Sequence, residues 1–264
     1  MNTVDIVAIC IFMICWIGME PLMGGLWPGS NGIVVEMRTV RRGWMREVLT
    51  RDNNFIGDAA IIGHVINSAS FFGSANLLII VGLSGSLFMQ PAAAVQNGLI
   101  AFMTTPSPTW LVQAKVVVVL ATLLRGLSDY VWAVRQLNYC LAAIGASPSR
   151  DEERDLEGWT DALTMVLNPA LRTFSAGVRS YYFTFAAAMW IFGPLAFLIA
   201  TVFATVLLFW RQTYSDTAKG VKAVRLLLDN AKPPSQEVRG SGRRPGDTPS
   251  SEQPASKSST SPSH

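Results

Sequence analysis

Residues 180–210 read SYYFTFAAAMWIFGPLAFLIATVFATVLLFW. The stretch has no charged side chain and one internal break, Gly193-Pro194. A helix needs roughly 20 apolar residues to cross the hydrocarbon of a bilayer, within a range of roughly 17–25. Read as one crossing, the stretch is too long. Folded back at Gly193-Pro194 it gives two, near 174–192 and 195–210, each close to the short end of that range. This choice decides the topology. A basic segment follows the first crossing, which puts the N-terminus outside. Four crossings would then leave Arg211, Lys219, Lys222 and Arg225 outside as well. That opposes the rule that basic residues flank the cytoplasmic ends of spans. Five crossings return them to the cytoplasm. A single Pro-kinked helix is tolerated in membranes, so four crossings remain the alternative.

Working outward, the composition agrees with a membrane protein. Of 264 residues, 50% are hydrophobic and only 15% charged, against roughly 25% charged in an ordinary soluble domain. The mean hydropathy of +0.33 already averages in a polar tail. A net charge of +3 is too small to suggest nucleic-acid binding. The chain has 2 His, one of them the last residue, His264. A His-rich metal site therefore cannot be built, and no cofactor is expected. The 3 Cys lack metal-like spacing and give no disulfide framework.

The first apolar run, Val4–Leu22, has no basic start and no small-residue cleavage site, and reads as a retained anchor. Pro28, Gly29 and Gly32 end it. Residues 34–51 place Val34, Val35, Met37, Val40, Trp44, Met45, Val48 and Leu49 at helical spacing, with arginines between. This predicts an amphipathic helix. Its Arg-rich polar face and Trp44 favour the membrane surface over packing on the bundle. A second crossing is expected within 59–88, where His64, Asn67, Phe71 and Ser74 share a face. Residues 90–108 lack Lys and Arg, which suits an outside loop. The third crossing starts near Thr109 and covers about 109–130, in a Pro-free helix long enough to project into the cytoplasm. Lys115 is expected to snorkel at its outer end. Arg125 and Asp129, one turn apart, are expected to pair. Ser149 is a cap for the next helix, with Asp151, Glu152 and Glu153 in its first turn. Asn168-Pro169 is expected to bend or interrupt that helix. The expected fold is all-α: residues 1–230 form a multi-pass transmembrane helical bundle, and 231–264, rich in Ser and Pro, a disordered tail.

The segments RRGWMREVLTRDNN, SASFFGSANLLIIVGL, VWAVRQLNYCLAAIGA and GVRSYYFTFAAAMWIFGP occur in this order. Together they resemble a widespread membrane-protein family of bacteria and plants, catalogued as domain of unknown function five-nine-nine. The likeness runs from the first crossing to about Tyr214. Its most specific pieces are Arg135 to Cys140 and Arg179 to Phe183. The family pattern has Glu-Asn-Arg where this chain has Asp52-Asn53-Asn54. The resemblance implies an integral membrane bundle and no reaction.

No nucleophile elbow, zinc-protease, phosphate-loop or dinucleotide motif is present, so an enzyme is not expected. Charge at membrane depth costs at least about 2.5–3.5 kcal/mol per residue unless paired or hydrated. The polar residues near the spans therefore carry the functional argument. Asp58, His64, Asn67, Arg125, Asp129, Arg135, Asn138 and Arg179 are expected to line one polar cavity open to the cytoplasm. Its basic majority favours an anionic solute or lipid head group. The bland reading has the same residues holding the helices together. Two function classes follow: a binding or transport protein for an anionic ligand, or a non-catalytic membrane scaffold or accessory subunit. Expected partners are membrane lipids, an anionic solute, and a second copy or a membrane partner protein, with no nucleic acid. For a bacterial chain the location is the cell inner membrane.

Overall fold

A computed structural model describes residues 3–23, 33–51, 55–88, 108–147, 155–213 and 215–231. The expectations on Asp52 to Asn54, the loop 90–107, the Ser149 cap with Asp151 to Glu153, and the tail beyond 231 lie outside the described residues. The described elements are helices: α1 (Thr3–Met23), α2 (Ile33–Thr50), α3 (Phe55–Phe88), α4 (Thr109–Gly145), α5 (Leu156–Ala188), a 3₁₀ turn (Met189–Phe192), α6 (Pro194–Thr213) and α7 (Asp216–Ala231). The described residues up to Asp229 form one compact unit.

Among the described residues three helical stretches are long and apolar enough to cross a membrane: Ile56–Gly85, Trp110–Gly145 and one beginning at Pro194. Thr3–Met19 is a shorter apolar helix. Only 11% of the most apolar window in α3 is buried inside the bundle. Leu78 and Val81 on α3, and Leu195, Phe203 and Val206 on α6, face outward. A water-facing helix would hide these side chains, whereas a lipid-facing one displays them.

The core has two stacked parts. One joins Ala8 and Phe12 of α1 to Leu120 and Leu123 of α4, Phe183 and Ala187 of α5, and Phe197 and Ala204 of α6. The other joins Met45 and Leu49 of α2 to Ile62 of α3, Leu137 and Cys140 of α4, and Leu163 and Leu167 of α5. Helices of about 50 Å, from 33 to 37 residues at about 1.5 Å each, run through both. α3 and α5 lie antiparallel to α4. Asn76 meets Leu123 while Ile62 packs near Cys140, and Ser180 meets Gly126 while Leu163 packs near Ile144.

The sequence expectations need three corrections. α2 is amphipathic, but Met45 and Leu49 are enclosed by the second core, with Trp44 and Val48 against it. The bundle, not a lipid surface, takes up that face. Lys115 does not snorkel: it is buried over the Trp190 ring, 5.9 Å from its centre, beside the Asp5 carboxylate. Asp5 also accepts a 3.1 Å bond from the Trp190 indole N–H, so the buried ammonium faces a ring and a carboxylate that are tied to each other. Of the bend or interruption expected at Asn168-Pro169, the interruption is absent: α5 continues through Pro169, with Asp155 as its N-cap accepting from the Gly158 N–H.

The chain reverses at Gly193, where φ is 131° and ψ is 167°. That region is essentially open to glycine alone. Pro194 then starts α6, and Phe197 stacks on Trp190 at 5.1 Å. Further on, Arg211 donates to the Tyr182 hydroxyl at 3.1 Å, which fixes α6 back along α5.

Candidate functional site between α1, α4 and α5

Close helix approach builds this site. Gly126 of α4 lies against the Ser180 hydroxyl, and a side chain there would collide with it. Asn76 of α3 reaches into the same contact and donates to the Leu123 carbonyl at 2.8 Å. Gly177 of α5 lies against the Tyr130 ring. Small residues let the backbones approach. With the axes held together there, the longer side chains beside them line a half-open cleft of ≈ 240 Å³.

Arg125 and Asp129 come from α4, Ala176, Arg179, Ser180 and Phe183 from α5, and Trp16, Ile17 and Met19 from α1. Arg125 Nε donates to both Asp129 oxygens at 3.2 Å, the pair predicted from their spacing. Arg179 is buried, with 8% of its surface exposed. Half of the Arg125 side chain remains accessible, at 49%, against 14% for Asp129. Two guanidinium groups and one carboxylate thus share a cleft with apolar walls. Its formal charge is positive, and guanidinium forks suit carboxylate or phosphate oxygens.

Arg125, Asp129 and Arg179 are the members of the predicted cavity that the structure brings together. The others lie elsewhere. Asp58 is buried at the start of α3 and accepts from the Trp44 indole N–H at 2.8 Å, tying α3 to α2. His64 and Asn67 are exposed and line a shallow groove along α3 with Ser70, Phe71 and Ser74. This is the face their spacing predicts, but it looks outward. Arg135 and Asn138 are exposed on α4, and ten residues of helix set Arg135 about 15 Å from Arg125 along the axis. The physical reason is the helical period: residues that share a sequence neighbourhood point around the whole cylinder. Trp16, Met19 and Ser180 were not singled out from the sequence. Only the helix register places them here, although a Trp near the end of an apolar run is an interface signal.

Among the described residues no group of His, Cys, Asp and Glu could hold a metal ion. Cys140 is enclosed in the second core while His64 is exposed, so the two do not form a nucleophile and base.

The model of the family described as "Protein of unknown function, DUF599" matches residues 7–217. The chain belongs to this family. The match runs from α1 to the start of α7, so every DUF599 segment that lines the cleft falls within it. No curated protein and no solved structure matches the chain. Membership in DUF599 brings no reaction with it.

Proposed function

We propose that the chain is a membrane protein of five crossings, with its N-terminus outside and its C-terminus in the cytoplasm, that binds an anionic solute or lipid head group. In a bacterium its place is the inner membrane. The first core supports the crossing count. α1, the second half of α3, the first half of α4, the second half of α5 and α6 all contribute to it. Asp5, Lys115 and Trp190 lie at one rim of this slab. Arg125, Asp129, Arg179 and Arg211 collect at the other. Beyond that second rim lie the arginines of α2, as the cytoplasmic side requires.

The observation that carries the binding reading is the buried Arg179 beside a half-exposed Arg125, in one cleft, at that rim. This is where lipid phosphates would meet the protein. A transport role would use the same holding site, and the reading requires no catalysis. The test is native mass spectrometry of the full chain in mild detergent with added phosphatidylglycerol. Arg125→Gln is expected to lower lipid occupancy about tenfold or more, the effect of one charge-assisted bond, with the fold retained. Unchanged occupancy together with a lower unfolding temperature would make the arginines a helix clamp instead.

A second reading, as a scaffold, is favoured by the outward polar face of α3. His64, Asn67, Ser70 and Ser74 lie on a helix that the bundle barely covers. Such groups hydrogen-bond across helix interfaces. A second polypeptide or a second copy in the same spectra would support it.

A further inference from the structure

The arginines between α2 and α5 fall into two groups. Arg42 is neutralised: it contacts Asp161 at 2.7 Å and Glu157 at 2.8 Å, and Arg46 lies 3.7 Å from Glu157. Arg38, Arg41 and Arg172 line a separate cleft of ≈ 290 Å³ with Asn168, Met165 and Pro169. Among the described residues no carboxylate lines that cleft. Arg41 uses one Nη to donate to Asn168 Oδ1 at 3.2 Å. Its Nε is buried with no hydrogen-bond partner. Among the described residues Arg172 has no hydrogen-bond or ion-pair partner. Burial, and next to it the Arg38 charge, push the Arg41 guanidinium down from its ordinary value.

The orphaned buried Nε of Arg41 and the unpaired Arg172 beside it each cost free energy that a bound anion would offset. The planar forks match phosphate oxygens better than a halide, and a dianion suits three positive charges. Met165 and Pro169 add an apolar wall for an organic group beside the phosphate.

We propose that Arg38, Arg41 and Arg172, with Asn168, form a second site, for a phosphate monoester, distinct from the Arg125–Arg179 cleft. The phosphate comes either from a lipid head group or from a soluble molecule, and the probes separate these sources.

The test uses the full chain in mild detergent at fixed ionic strength. Binding is measured for inorganic phosphate, for glycerol 3-phosphate and for short-chain phosphatidic acid, with chloride and short-chain phosphatidylcholine as controls. Arg172→Gln is the main variant, because Arg172 is exposed and holds no other residue in place. Arg38→Gln is the second. At least one phosphate probe is expected to bind above its control, and Arg172→Gln to weaken it about tenfold or more. Arg125→Gln is expected to remove only binding at the first cleft and to leave the Arg172-dependent part in place. Binding of phosphatidic acid alone assigns the site to a lipid, and binding of the soluble esters as well assigns it to phosphate at large. Two results would overturn the proposal. One is no phosphate binding above the controls. The other is binding that survives both Arg172→Gln and Arg38→Gln. If that surviving binding were lost in Arg125→Gln, it would belong to the first cleft, whose reading would stand.

Discussion

Tyr130 shows how little slack the centre of the bundle has. It is buried at 1% exposure, with its ring stacked on Phe72 at 5.8 Å and edge-on to Phe174 at 6.0 Å. Gly177 faces it, and a Cβ there would come within 2.8 Å of Tyr130 Cε1. The ring cannot retreat, because Phe72 is behind it. Gly177→Ala is therefore expected to destabilise the protein by about 1–3 kcal/mol, the usual cost of overpacking. Gly73 provides the control on the facing helix. A Cβ there meets Tyr130 Cβ at 3.7 Å, ordinary contact distance, and alanine also favours the helix. Thermal unfolding in detergent should show Gly177→Ala melting well below Gly73→Ala. Equal melting would mean that Tyr130 has room the packing does not show.

At the scale of elements, α2 is held to α5 by packing on one side and by ion pairs on the other. Met45 and Leu49 supply the packing, and Arg42 reaches Asp161 and Glu157. Hydrogen bonding from Arg42 holds the Asp161 carboxyl below its ordinary value. A carboxyl depressed in the folded state stabilises above its unfolded pKa, near 4 for Asp. That contribution is lost as pH falls through the folded value. The unfolding temperature of the wild type should exceed that of Asp161→Asn at neutral pH. The gap should be small, since the pair faces water, and should close progressively below about pH 4. A gap that persists in acid would assign it to something other than the charge. The periodicity of residues 34–51 gave the helix but not its partner. A stripe of Met, Leu, Val and Trp fits a lipid surface and a protein groove equally well by period alone. Only the matching apolar stripe on α5, some 120 residues away, decides between them.

At the scale of the whole molecule, local order was legible and register was not. The i,i+4 spacing gave the Arg125–Asp129 pair, and the glycine before Pro194 gave the reversal of the chain. Arg179 joins that pair because Ser180 seats against Gly126, a contact between residues 54 apart that no window of sequence contains. His64 was expected inside because His and Asn are rare at membrane depth. It lies on the half of α3 that packs with the second core, and its side chain faces outward there. The same division of the bundle yields the topological prediction. If the first core spans the bilayer and α2 and α7 lie beyond its inner rim, Lys222 faces the cytoplasm and the segment around Asn97 faces outside. The three native cysteines can be replaced by serine or alanine, and one cysteine returned at either position. In intact cells an impermeant maleimide should label Asn97→Cys, and Lys222→Cys only after the membrane is opened. Labelling of both Asn97→Cys and Lys222→Cys in intact cells would instead mean an even number of crossings. The turn at Gly193 would then lie inside the membrane, and the cleft of Arg125 and Arg179 would need water or a ligand to hydrate it at that depth.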